Sequence, residues 1–209
     1  ARTRFNDYSP LLRLQRFAEA RDLLLDCRVV YEAARAVPQL GRVYSALADL
    51  EDATSGRTGD RAAAARFEQA ALGYKYQAGE PEGCAYSHGN LANYLERLGD
   101  DPALVLAHRL VAALIFLQTQ SGQLPVILRN LAKADLPPAP PPFAEVVARV
   151  EQVPGVRFGD LFEHLPRRLP DGDAAIAAVW ELANAEAQRR REAFEPLLQG
   201  IAAAASDEE

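Results

Sequence analysis

Methionine is missing from this chain, cysteine occurs only at positions 27 and 84, and lysine only at 75 and 133 among 23 basic residues. Two cysteines are too few for a disulfide framework, so both are expected to be reduced and the protein cytoplasmic. The first residue is Ala1 rather than Met, so a piece of a longer protein is expected. The scarcity of lysine beside abundant arginine and alanine reflects a coding sequence rich in G and C, and carries no functional information. No apolar run is long enough to cross a bilayer, and the opening ARTRFNDYSP has no signal-peptide apolar region. The net charge of −6 argues against a nucleic-acid binder, which needs a basic surface to neutralise phosphates. A sustained period-two run of β-branched residues is also missing, which excludes a sheet. What is present is 49% apolar and 25% charged residues over 209 positions, enough to bury one sizeable core or two small ones and too apolar to stay disordered.

The apolar spacing throughout is helical. Ser9-Pro10 reads as a helix start, followed by an apolar stripe through Leu11, Leu14, Phe17 and Leu25 that fades at Val37-Pro38. Further helices are expected over 39–53, 61–77, 84–98, 102–119 with Asp101 as cap, and 125–134. TSGRTGD at 54–60 and AGEPEG at 78–83 read as breaks. Five prolines lie between Pro137 and Pro142, so that stretch cannot be helical and reads as a linker or strap. Beyond it come a short helix (143–153), a turn, one or two helical turns, and a long helix capped by Asp173. Glu195-Pro196 is expected to bend or interrupt that helix, with Phe194, Leu197, Leu198 and Ile201 forming a new stripe after it.

Within this pattern a unit recurs. GNLANYLERLGDDP (89–102), LRNLAKADLPP (128–138) and a weaker YSALADLED (44–52) share a Leu-Ala pair, and Leu47, Leu91 and Leu131 are 44 and 40 residues apart. A small residue beside Leu lets helices approach closely, and Gly99 supplies the left-handed residue that ends a helix. Ala113-Leu114 is positioned to bury a second helix against the first. Leu47-Ala48, Gly59-Asp60, Ala64 and Ala71-Leu72 give the preceding copy. Leu-Ala-x-x-Leu-x-x-x-Gly-Asp, from Leu91 to Asp100, resembles the first helix and turn of a tetratricopeptide repeat, and the resemblance covers 39–120 with a partial unit at 125–134. The units are longer than the family's ~34 residues, and the aromatic of its first helix is missing. More loosely, the chain is similar to helical-repeat tails of actinobacterial multidomain proteins that carry ATPase or protease-like modules.

The resemblance implies an all-α α-solenoid of helix-turn-helix units over 1–136, a linker at 137–142, and an atypical helical cap over 143–209 packed on the repeats. It also implies a peptide-binding concave face lined by the first helix of each unit. Arg42, Ser45, Asp49 and Asp52 would come from the first copy, Tyr86, Asn93, Glu96 and Arg97 from the second, and Arg129 and Lys133 from the third. The amide of Asn93 can both donate to and accept from an extended backbone. Convergence of Arg97, Arg129 and Lys133 would favour an acidic or carboxylate-bearing protein or peptide. The terminal helix could cap the array, fill its groove or pair two copies.

Residues able to do chemistry are sparse. Cys84 and His88 are four apart on one helix face and could begin a metal site or a thiol–imidazole pair, but no further ligand motif completes it. His108 and His164 are isolated, and SGRTGD lacks the strand and lysine of a phosphate loop. Asp100, Asp101, Asp171 and Asp173 read as helix caps. QRRREAF at 188–194 reads as a solvated helix face, and Trp180 as a core anchor against Phe158 and Phe162. The expectation is a non-catalytic interaction module without cofactor or metal, binding neither nucleic acid nor membrane. The alternative is a regulatory domain enclosing a small molecule near Tyr86, Tyr94 and His108.

Overall fold

The computed structural model describes residues 5–56, 59–133, 136–166 and 171–206, with side chains as far as 193. Among them the protein is all-α. The helices are α1 (Tyr8–Arg13), α2 (Phe17–Ala33), α3 (Val37–Ala53), α4 (Arg61–Ala78), α5 (Pro81–Leu98), α6 (Pro102–Gln118), α7 (Leu124–Leu131), α8 (Phe143–Val150), α9 (Phe158–His164) and α10 (Gly172–Ser206). No helix among the described residues is long and apolar enough to cross a membrane.

Helix ends follow one device. Backbone bonds reach five residues back from Arg16, Ala36, Glu80, Asp100 and Ser121, closing the chain around a left-handed residue. Gly79 (φ 65°) and Gly99 (φ 72°) fill that position freely, but Gln15 (φ 57°), Arg35 (φ 50°) and Gln120 (φ 56°) fill it elsewhere. Those three lack the glycine that marks such an end, so the expected single helix over 9–37 is in fact two helices with a break at 14–16. The second stops at Ala33, and Pro38 opens α3 instead of closing α2. In the same way Pro81 begins α5, because proline has no amide to leave unbonded in the first turn.

Three further expectations are corrected. Gly59 does not end a helix; α3 stops at Thr54, and a Cβ on Gly59 would lie 2.2 Å from the Glu51 carbonyl. Asp173 does not cap α10: the Ala174 amide donates to Asp171 (2.7 Å), while Asp173 accepts from the Phe143 amide (2.7 Å). Helix α10 runs through Pro196 without interruption. The apolar stripe expected at Phe194, Leu197, Leu198 and Ile201 concerns side chains outside the described residues, as does part of the loop at 54–60.

Two apolar clusters form. One joins α2 to α3 through Leu23, Leu24, Cys27, Leu40, Val43 and Leu47. The larger one spans α3, through Ala48, to α10 and takes in Leu72, Leu91, Leu114, Leu131, Phe158, Phe162 and Trp180. The Leu-Ala pairs of the first two repeated units, Leu47-Ala48 and Leu91-Ala92, are buried, as are Ala64, Ala71, Leu72, Leu95, Ala113 and Leu114. From α2 to α6 each helix packs chiefly on its neighbours in sequence, and α7, α8 and α10 then close around α6. Helix α6 has 12 of its 17 residues buried, as a helix apolar on all sides must. At Gly73 of α4 the backbone meets the turn after α8: a Cβ there would sit 2.7 Å from the Pro154 carbonyl. Gly73→Val is therefore expected to destabilise the protein by about 1–3 kcal/mol through overpacking against main chain, read as a lower urea midpoint at unchanged slope.

Candidate functional site

Helices α3 and α5 are joined by their polar side chains. The Tyr94 hydroxyl donates to Asp49 (3.0 Å), Arg97 is ion-paired with Asp52, and Arg42 lies 4.0 Å from Glu80. The pairs advance together along both helices, from Asp49–Tyr94 to Asp52–Arg97, so α3 and α5 run in the same direction with a 45-residue offset. Arg97 is thus committed to α3 and is not available to converge with Arg129 and Lys133.

Beneath this seam lies a polar cluster that the sequence reading did not assemble. Ser45, placed there on an open groove, instead donates to Glu68 (3.0 Å) and accepts from Lys75 (2.8 Å). The Lys75 ammonium also donates to Ser87 (2.6 Å), whose hydroxyl donates to Glu68. The Lys75 and Glu68 charges are 3.8 Å apart and both side chains are buried. Burial pushes the Glu68 carboxyl above the usual carboxylate range, opposed by Lys75 and by the two serine hydroxyls. Asp49 is raised by burial in the same way, opposed by the Tyr94 hydroxyl. The lysine stem passes between two helices at glycines: a Cβ on Gly41 would be 3.0 Å from Lys75 Cγ, and one on Gly83 3.4 Å from Cδ. Those glycines near the starts of α3 and α5, together with a rare lysine, are the sequence signal for this cluster.

On its other side α5 faces α7. Gly89 approaches Ile127, whose Cδ1 would be 3.8 Å from an added Cβ. Toward the far end, Glu96 lies near Lys133: its carboxyl is held low by the Arg109 hydrogen bond, with Lys133 adding to the effect. Tyr86 and Val126 are 45% and 43% exposed, and the Tyr86 ring stands edge-on against Phe116. Asn93 is half-buried, Arg129 and Lys133 are exposed, and no side-chain hydrogen bond engages these three among the described residues. The predicted set therefore divides. Arg42, Ser45, Asp49 and Arg97 tie helices together, whereas Asn93, Arg129 and Lys133 have no side-chain hydrogen bond among the described residues, and Tyr86 leans one edge on Phe116 while staying 45% exposed.

The histidines take internal partners. His88 on α5 contacts His108 on α6 through their Nδ1 atoms (2.7 Å) and Tyr76 on α4 through Nε2 (2.8 Å). Both rings are fully buried. Burial lowers His88 well below its ordinary value, with His108 and Lys75 adding to it, and lowers His108 to about 4. Cys84 turns no thiolate toward His88, since burial pushes its thiol up to about 12. Tyr94, His108 and Tyr86, named together for a ligand, are directed to Asp49, His88 and Phe116 respectively. No group of three or more His, Cys, Asp or Glu among the described residues could hold a metal ion.

Compared with known proteins, the chain matches no family model, no curated protein and no solved structure.

Proposed function

We propose that the protein is a non-catalytic interaction module, a short α-solenoid of the tetratricopeptide type whose partner-binding face is formed by α5 and α7. The observation that carries this reading is the division of the polar side chains: α3 and α5 are laced together by Asp49–Tyr94 and Asp52–Arg97, while the α5–α7 side keeps Tyr86 and Val126 exposed beside Asn93, Arg129 and Lys133. Large apolar side chains rimmed by polar and basic ones mark a protein-binding surface. Parallel α3 and α5, offset by 45 residues, support the repeat reading. Two cationic groups and an amide fit an extended peptide with acidic residues.

The test begins with capture of a partner on the immobilised protein, followed by titration of that purified partner. Tyr86→Ala/Asn93→Ala/Lys133→Ala is expected to weaken binding by about tenfold or more, since truncating an anchor aromatic removes upward of 1 kcal/mol. Arg42→Ala, on the laced side, is expected to leave it unchanged. Equal affinity for the triple variant and wild type would remove α5–α7 as the binding face.

A further inference from the structure

A cleft of about 670 Å³ opens where the end of α5, the start of α6 and Leu136-Pro137 meet. Its volume lies within the roughly 300–1,000 Å³ typical of small-molecule sites. Leu106, Leu136 and Pro137 give it apolar walls, and Glu96 and Asp100 stand at its rim. Among the described residues one cation, Arg109, lines it. The Arg109 side chain is 5% exposed and its Nη2 donates to Glu96 Oε2 (2.7 Å). Its Nε is buried with no hydrogen-bond partner among the described residues.

Nε and Nη2 form one edge of the guanidinium, the edge on which a carboxylate accepts two parallel bonds. Glu96 uses only half of it. The Glu96 side chain is 56% exposed, so it can swing into water, and doing so releases Nη2 beside the unpartnered Nε. Glu96 stands where an incoming carboxylate would bind better.

We propose that this cleft binds a small monocarboxylic acid with an apolar tail. Its carboxylate takes the Nε–Nη2 edge of Arg109 in place of Glu96, and its tail lies along Leu106, Leu136 and Pro137. Asp100 at the rim disfavours a second negative charge, which selects against dicarboxylates. The site adjoins the α5–α7 face at Glu96, whose carboxyl also feels Lys133, but it does not rest on the partner-binding reading.

Octanoate is a suitable probe, titrated calorimetrically into the full chain, with octanamide and succinate as controls. Octanoate is expected to bind at least about tenfold more tightly than octanamide, because a charge-assisted pair is replaced by a neutral contact. Leu106→Trp, which fills the cleft, is expected to abolish the binding. Glu96→Ala is the decisive variant, since it lies on the exposed rim and leaves the packing intact. Removing the competing carboxylate is expected to tighten octanoate several-fold while octanamide is unaffected. No octanoate binding to wild type, equal affinity for acid and amide, or a Glu96→Ala protein that binds octanoate no better than wild type would each overturn the proposal.

Discussion

Lys75→Met is expected to lower the free energy of unfolding by about 3–5 kcal/mol near neutral pH, the range measured when one member of a buried ion pair is removed. The reason is the state in which it leaves Glu68. With Lys75 present, the carboxylate has a cation 3.8 Å away and hydroxyls from Ser45 and Ser87. Without it, a fully buried carboxylate keeps only neutral donors and must either stay charged or take up a proton. The loss should therefore shrink as the pH is lowered, because Glu68, already raised by burial, accepts that proton more readily. Lys75→Met/Glu68→Gln is expected to be more stable than Lys75→Met alone, since the glutamine amide oxygen still accepts from the serines and no charge remains. Urea unfolding followed by circular dichroism at two pH values checks all three statements. A Lys75→Met protein as stable as wild type would mean that the cluster contributes nothing to the fold.

Acid is expected to destabilise the protein through its two buried histidines. A folded-state value below the unfolded one means that the unfolded chain takes up the proton first. The contribution is thus fully present above the unfolded value of about 6.5, and it is lost as the pH falls from there toward the folded value. For His108, lowered to about 4, the linkage relation gives a loss of about 2 kcal/mol on going from about pH 8 to about pH 5. His88 is displaced in the same direction and adds to it. Glu68 and Asp49, raised by burial, act oppositely, because the folded form then binds protons more readily than the unfolded chain. The histidine contribution is isolated by comparing wild type with His108→Gln, whose stability should fall less steeply over the same interval. Parallel curves for the two proteins would place the acid sensitivity elsewhere.

These two effects come from groups whose types, but not whose meeting, could be read in the sequence. Cys84 and His88 share a helix face by spacing alone, and nothing else in the sequence completes a thiol–imidazole or metal site from them. In the fold His88 turns to Tyr76 and His108, 12 and 20 residues away on other helices. Ser45 and Arg97 were legible as polar positions on amphipathic helices. Whether such a position faces solvent or a neighbouring helix depends on what is packed beside it, and a helical period does not encode that.

The amino-acid sequence determined the helical class, most helix boundaries and the buried Leu-Ala positions, since each follows from local physics. Apolar residues at helical spacing need burial, proline and glycine fix the chain at particular turns, and Asp101 binds the Ala103 amide two residues away (2.9 Å). The helix ends at Gln15 and Arg35 escaped it because the left-handed residue there is not glycine, and packing holds a conformation that the residue itself disfavours. Tertiary structure alone decided that α7, α8 and α10 close around α6, that Lys75 threads past Gly41 and Gly83 to reach Glu68, and that Arg109 lines a cleft beside Glu96. Each of these joins residues far apart in the chain, where the free energy of a contact depends on which surfaces face one another.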